Sequence, residues 1–134
     1  MPETRIVFFQ DENKKVPVLN WLNTLRQQDR KGYANCIARI EQLAEAGYEL
    51  RRPAADFLRN GVYELRAKHV RVQYRILYFF HGQNVVVLAH AIVKEEDRVP
   101  DIDIDRAIAQ RELFTTSPEK YTYLEPEEAE NEEN

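Results

Sequence analysis

The sequence predicts an α+β domain in which helices and a mainly antiparallel sheet occupy separate stretches of the chain. Three observations predict this class. Apolar residues recur at a helical spacing over residues 17–47, they alternate with polar residues over residues 62–93, and a second helical spacing follows Pro100. A chain of 134 residues is also near the usual size of one domain. The predicted order of elements is βααβββα.

The first strand and a helical hairpin are predicted in the N-terminal third of the chain. Residues 5–9, RIVFF, are β-branched or aromatic, which is typical of a strand. Pro17 suits the first turn of a helix that runs to about residue 30. A second helical spacing covers residues 33–47, and we expect a short polar turn around Gly32 to join the two helices.

The other strands and the last helix follow a loop that is predicted over residues 51–60. The hydrophobic period then changes to two, which predicts strands over residues 62–67, 71–80 and 85–93. A final helix is predicted over residues 101–114, where the helical spacing returns. We expect the helices to cover one face of the sheet and to leave the other face open.

Basic residues are concentrated on one face of the predicted strands. Residues 62–75 carry four cations against the single Glu64, although the net charge of the chain is −4. Burying unpaired guanidinium groups would cost on the order of several kcal/mol each, so we expect these cations on the open face. Strand alternation assigns the following residues to that face: Arg66, Lys68, Arg71, Gln73, Arg75, His90 and Lys94. Such a cluster is typical of a surface that binds a polyanion.

The C-terminal end differs in composition from the rest of the chain. Residues 119–134 hold seven Glu against the single Lys120, and such Glu-rich segments seldom bury enough apolar surface to fold. The sequence therefore predicts one domain over residues 1–116 and a disordered acidic tail over residues 117–134.

Several classes of protein and site are not expected. The sequence has no apolar stretch of the roughly 18–20 residues that span a bilayer and no secretory signal, so we expect a cytoplasmic protein without membrane association. Cys36, the single cysteine, is predicted to be a buried structural thiol. Neither a Cys/His ligand cluster nor a glycine-rich phosphate loop is evident, so we expect no metal and no cofactor.

Several short motifs, in their order and spacing, resemble the phage-derived toxin-like branch of the RelE/HigB superfamily. They are RIVFF, VLNWLNTL, VYELR, YRILYFF and AHAIVK, and the resemblance covers residues 5 to about 114. It implies the RelE-like fold and the toxin of a type II toxin–antitoxin pair, a metal-independent ribonuclease that enters the ribosomal A site and cleaves mRNA. It also implies a cognate antitoxin, which we expect to be a helix-turn-helix protein.

The basic face and the resemblance together give the candidate site residues. The catalytic candidates are Arg75, Arg66, Lys94 and His90. The RNA-binding candidates are Lys68, His69, Arg71, Gln73 and Arg98. Arg75 is the first choice for binding the phosphate, because arginine binds phosphate oxygens in two places and stays charged. His69, His90 and Lys94 are alternatives for proton transfer to and from the RNA.

Two other functions remain open at this point. Relatives within the superfamily inhibit DNA gyrase through protein contacts and cleave nothing, and a fold alone does not separate these activities. An inactive relative is the third alternative, because Lys94 is followed by Glu95 where the family usually has two adjacent lysines.

Overall fold

The computed structural model describes residues 4–95 and 98–125. The elements are β1 (Arg5–Phe8), α1 (Pro17–Gln28), α2 (Arg30–Ala46), β2 (Ala55–Arg59), β3 (Val62–His69), β4 (Val72–His81), β5 (Val85–Lys94), α3 (Asp101–Thr116) and α4 (Pro118–Tyr121). The strands form one sheet in the order β1-β5-β4-β3-β2, in which β1 is parallel to β5 and the other pairs are antiparallel. The predicted α+β class, with a helical hairpin and a C-terminal helix, is confirmed.

The helical hairpin turns at a single residue. Asp29 ends α1 and begins α2, and its carboxylate accepts a hydrogen bond of 3.0 Å from the N–H of Gly32. The turn predicted around Gly32 is therefore misplaced, because this glycine lies in the first turn of α2. A Cβ at Gly32 would clash with the Asp29 side chain and the Tyr74 ring, so the glycine permits this close approach.

The first face of the sheet packs against α1 and α2 and forms the main core. Its central contributors are Val18, Leu22, Cys36, Leu43, Leu65, Tyr74, Ile76, Tyr78 and Leu88, all buried. The prediction of a buried thiol is confirmed, and burial raises the pKa of Cys36 to about 12.

The second face is partly covered, so the expectation of one fully open face is wrong. Helix α3 places Ile104 and Phe114 on this face, where they pack in two apolar clusters with Leu77 and Phe79 of β4. The apolar stripe of α3 can be buried against these residues, because this half of the second face is itself apolar. The half nearer the β3–β4 turn carries the charged residues.

A β-bulge changes the side-chain alternation within β5. The register shifts where Leu77 pairs with His90 but Tyr78 pairs with Leu88. An extra residue at a bulge reverses the alternation beyond it, which a count along the sequence does not include. As a result His90 and Lys94 share the second face with Arg75, as predicted, whereas Leu88 lies in the main core.

The predicted loop over residues 51–60 contains a strand instead. Residues Ala55–Arg59 pair antiparallel with β3 and form one edge of the sheet. Five residues give too few alternations for a period of two to stand out, and Pro53 and Gly61 close by favour a loop.

The start of the acidic end is ordered, contrary to the predicted disorder from residue 117. Residues Pro118–Tyr121 form α4, and the Tyr121 ring is 3% exposed and stacks on Phe9 at 5.7 Å between centroids. Two aromatic rings therefore anchor a segment whose charge composition alone indicates a tail. The rest of the predicted tail, residues 126–134, lies outside the described residues. No helix of the described part of the chain is long and apolar enough to cross a bilayer.

Candidate anion-binding cleft

The uncovered half of the second face contains a cavity of about 370 Å³, which we call the main cleft. It lies between β2, β3 and the residues at the start of α3. Its lining residues are Arg52, Asp56, Leu58, Arg59, Glu64, Arg66, Lys94, Arg98, Val99, Asp101 and Ile104. Five of these side chains are cationic and three are carboxylates, which leaves a formal surplus of two positive charges. A concave surface with this balance attracts anions.

Glu64 joins two arginines across neighbouring strands. The register places Arg66 of β3 opposite Arg75 of β4, and one carboxylate oxygen of Glu64 lies 3.5 Å from Arg66 Nε and 3.3 Å from Arg75 Nε. Without Glu64, two like charges would face each other on adjacent strands, which is destabilising. The carboxylate therefore holds the two guanidinium groups together.

Arg75 is buried, so the expectation that it projects from an open surface is wrong. Its side chain is 2% exposed and donates hydrogen bonds to Gln73 Oε1 at 2.7 Å and to the Tyr74 carbonyl at 2.9 Å. Burial lowers the pKa of Arg75, while the Glu64 carboxylate acts in the opposite direction. A guanidinium can be buried here because a carboxylate and two further acceptors surround it.

Arg66 is the more accessible member of this pair. Its side chain is 29% exposed and lines both the main cleft and a second cavity. Three other cations of the main cleft pair with carboxylates, since Arg52 lies 2.6 Å from Asp56, Arg59 lies 2.6 Å from Asp105 and Arg98 lies 3.3 Å from Asp101. Arg66 is thus a half-exposed cation at the junction of the two cavities.

The second cavity, about 260 Å³ in volume, opens where β2 ends beside β3, and we call it the edge pocket. Its lining residues are Arg39, Pro53, Arg66, Ala67, Lys68, Gln73 and Arg75. Four of them are cationic, and none of these lining residues carries a carboxylate. The predicted residues Arg66, Lys68, Gln73 and Arg75 are therefore brought together here.

Arg39 is a residue of this pocket that the sequence reasoning missed. It lies on α2, three residues after Cys36 and four before Leu43, both of which are fully buried. A charged residue at this spacing falls on the buried side of the helix. This unusual position is the feature of the sequence that could have identified Arg39. Its Nε donates a hydrogen bond of 2.9 Å to the Arg66 carbonyl.

The other predicted residues of β5 and the following segment divide between two places. Lys94, a catalytic candidate, and Arg98, an RNA-binding candidate, both line the main cleft. His90 lines a separate cavity beside α3, and its Nε2 lies 2.7 Å from a carboxylate oxygen of Asp103. Lys94 is therefore the proton-transfer candidate of the main cleft.

His69 and Arg71 do not lie beside the other cations. Alternation along β3 places His69 on the first face, and its Nδ1 lies 3.0 Å from a carboxylate oxygen of Asp29 at the helical hairpin. Arg71 is exposed in the turn before β4, because the strand begins at Val72 rather than at residue 71. Their roles in RNA binding remain predictions, and neither side chain lines the main cleft or the edge pocket.

The described residues contain no group of three or more His, Cys, Asp or Glu side chains arranged to hold a metal ion. None of the curated proteins that were compared with the chain matches it. A family model described as phage-derived protein Gp49-like (DUF891) matches residues 20–112, which is more than half of the chain and includes β2 to β5 and both arginines paired with Glu64. The chain therefore belongs to the phage-derived Gp49-like family, which is part of the RelE/HigB-like toxin family.

Proposed function

We propose that this chain is the toxin of a type II toxin–antitoxin pair and acts as a metal-independent endoribonuclease on mRNA at the ribosome. One observation carries this proposal. A half-exposed arginine, Arg66, lies at the junction of two cation-lined cavities on the half of the sheet that α3 leaves uncovered. A phosphodiester of a single strand fits this charge arrangement better than an apolar protein segment does.

The proposed reaction is attack of the RNA 2′-hydroxyl on the adjacent phosphorus. The bond from phosphorus to the 5′-oxygen breaks, the 2′-oxygen loses its proton to solvent water and the 5′-oxygen gains one, leaving a 2′,3′-cyclic phosphate and a 5′-hydroxyl. Arg66 binds the phosphate oxygens as negative charge develops on them. Lys94, on the same cleft, supplies a second cation and a proton for the 5′-oxygen.

Arg75 and Glu64 have a positioning role in this proposal. Arg75 is buried and hydrogen-bonded to Gln73 and to the backbone, so it contributes positive charge from beneath the surface. Glu64 keeps Arg66 and Arg75 at a fixed separation by forming an ion pair with each of them. A preorganised charge pair needs little rearrangement during the reaction, which is the usual source of electrostatic catalysis.

Partners belong to the same proposal. The message and the ribosome would bind at the uncovered half, and Lys68, Arg71 and Arg98 are exposed for contact with RNA. A cognate antitoxin, which we expect to be a helix-turn-helix protein, would inhibit the toxin by covering this surface. Co-expression with the product of the neighbouring gene tests this part, since a partner that fails to co-purify would contradict it.

Arg66→Ala tests the catalytic assignment. We expect the rate of message cleavage in a translation extract to fall by about 10²–10³-fold, because a charge contact made in the transition state is lost. Arg26→Ala is the matched control, since Arg26 lies on α1 beside Tyr33, away from the cleft. Cleavage should be mapped by primer extension on a translated reporter message.

The same preparations distinguish the gyrase alternative. Unchanged cleavage by Arg66→Ala would contradict the assignment of this residue. A wild-type chain that inhibits DNA supercoiling while leaving messages intact would contradict ribonuclease activity altogether.

A further inference from the structure

The edge pocket owes its opening to the short length of β2. The pairing of β2 with β3 ends at Ala55 opposite Leu65, and the last backbone contact on this side is the Arg66 N–H to the Ala54 carbonyl at 2.7 Å. Strand β3 continues to His69 and so extends beyond its neighbour. The space beside the end of β3 is therefore bounded by α2 and by the loop that contains Pro53.

Positive charge in the edge pocket is less compensated than in the main cleft. Glu64, Asp56 and Asp101 line the main cleft, whereas the four cations that line the edge pocket share a single carboxylate, that of Glu64, which pairs with Arg66 and Arg75 from outside the pocket. The side chain of one of these cations, Arg75, is almost entirely removed from solvent. Like charges in a partly desolvated pocket repel each other, and an entering anion relieves that repulsion.

Helix α2 holds the wall of this pocket against β3. Arg39 donates from Nε to the Arg66 carbonyl at 2.9 Å and from Nη1 to Gln42 Oε1 at 2.8 Å. One turn earlier, the Asn35 amide donates to the Lys68 carbonyl at 2.8 Å. These contacts fix both the guanidinium of Arg39 and the backbone of the two basic residues of β3 before any ligand binds, which reduces the ordering cost of binding.

We propose that the edge pocket binds a phosphate group of an RNA strand, next to the phosphate at Arg66. The strand then passes from the main cleft over Arg66 to Arg39 and Lys68, because Arg66 lines both cavities. Identification of the strand as mRNA rests on the proposed function. Binding of the phosphate by Arg39 does not, because it requires no cleavage.

Binding of a short 2′-O-methyl oligoribonucleotide to the full chain tests this proposal, since that probe lacks the attacking hydroxyl and stays intact. We expect Arg39→Gln to weaken its affinity about ten-fold, the effect of losing one charge-assisted hydrogen bond. The slope of log affinity against log salt concentration should fall by about 0.7, the value for one phosphate of a single strand. Fluorescence anisotropy over a series of salt concentrations measures both quantities.

Two further variants make the outcome decisive. Arg26→Gln removes one arginine from the neighbouring helix and should leave affinity and salt slope unchanged. Arg39→Lys keeps the charge, so it should retain the salt slope and lose less affinity than Arg39→Gln. If Arg39→Lys is as defective as Arg39→Gln, the residue acts by holding β3 and the proposal is wrong.

The remaining outcomes separate this proposal from the proposed function. Arg39-dependent binding of the probe by a chain that cleaves no message would support the pocket and contradict only the ribonuclease. Equal affinity of Arg39→Gln and the wild type would overturn the pocket, whatever the cleavage assay shows. An acidic peptide that displaces the probe and binds more tightly would overturn its assignment to nucleic acid.

Discussion

The two halves of the second face differ although they lie on the same strands. Toward the β4–β5 turn, Leu77 and Phe79 are buried beneath α3, and this half is part of the apolar core. Toward the β3–β4 turn, the same side of the sheet presents Glu64, Arg66 and Arg75, and these residues line the main cleft or the edge pocket instead of an apolar cluster. Alternation decides which face a side chain belongs to, but the position of α3 decides which half of that face becomes apolar core and which half stays charged.

The largest expected effect is on stability and comes from Arg75→Ala. This change leaves the Glu64 carboxylate buried beside an empty space, and loss of one partner of a buried ion pair costs about 3–5 kcal/mol. Arg66→Ala removes a half-exposed partner of the same carboxylate and should cost about 1 kcal/mol or less. Urea unfolding of both variants measures the difference, and equal losses would show that the two arginines are not in different environments.

A double substitution tests whether the charge pair itself is the cause. Glu64→Gln with Arg75→Met removes both charges and keeps similar volumes, so it should be more stable than Arg75→Ala alone. If the double variant is less stable, the loss comes from packing around Arg75 rather than from an unpaired carboxylate. In either case the cleavage defect of Arg75→Ala must be corrected for the fraction of folded protein.

Much of this charged half could be predicted from the sequence. Alternation placed Glu64, Arg66 and Arg75 on one face, and it placed Lys94 with them, as the structure does. Pairing of Glu64 with Arg75 depends on the register between β3 and β4, which alternation within each strand does not fix. The alternation pattern therefore could not predict that Arg75 is buried.

Other features depended on contacts between distant parts of the chain. The apolar stripe of α3 is visible in the sequence, but its packing against Leu77 and Phe79 of β4 is a contact between distant residues. Arg39 reaches the edge pocket because α2 packs on β3, and His69 turns to Asp29 because the hairpin lies against the first face. Such pairings between separate elements are not encoded by any local period.

An intermediate effect is expected at Asp29, which ties the first face of this end of the sheet to the helical hairpin. The Tyr74 hydroxyl donates to Asp29 at 2.5 Å, and together with the Gly32 N–H and His69 it holds the pKa of the carboxyl below its ordinary value. A depressed carboxyl pKa stabilises the fold above the ordinary value, and this stabilisation is lost as the pH falls through the folded-state pKa.

Asp29→Asn should therefore lower the urea midpoint at pH 7 by less than Arg75→Ala does. The difference from wild type should shrink as the solution is made acidic, because the wild-type carboxylate becomes protonated. The same comparison in a His69→Gln background, which removes the imidazole that faces this carboxylate, shows how much of the difference depends on that imidazole. A difference that stays constant down to strongly acidic pH would contradict a role for the Asp29 charge.

The last comparison is between the two turns at opposite ends of β4, where we expect the smallest gain in the free energy of unfolding. The β4–β5 turn has Gly82 at φ 63°, where a Cβ atom would meet nothing within 4 Å, whereas the two-residue β3–β4 turn has Val70 at φ 56°. A left-handed backbone costs a residue with a Cβ roughly 1–2 kcal/mol, and glycine is favoured at the first central position of such a hairpin turn. The Val70 side chain is 79% exposed, so its apolar burial offsets little of this cost.

Val70→Gly should raise the free energy of unfolding by about 0.5–1 kcal/mol, because relief of the strained backbone exceeds the added entropy of the unfolded chain. Gly82→Val should lower it by about 1–2 kcal/mol for the reverse reason. Both are measured by urea unfolding, and a Val70→Gly variant that is less stable would show that the valine makes contacts that outweigh its strain. If Val70→Gly is more stable but binds RNA less tightly, the strained turn supports the proposed RNA binding, since strained residues persist where function requires their geometry.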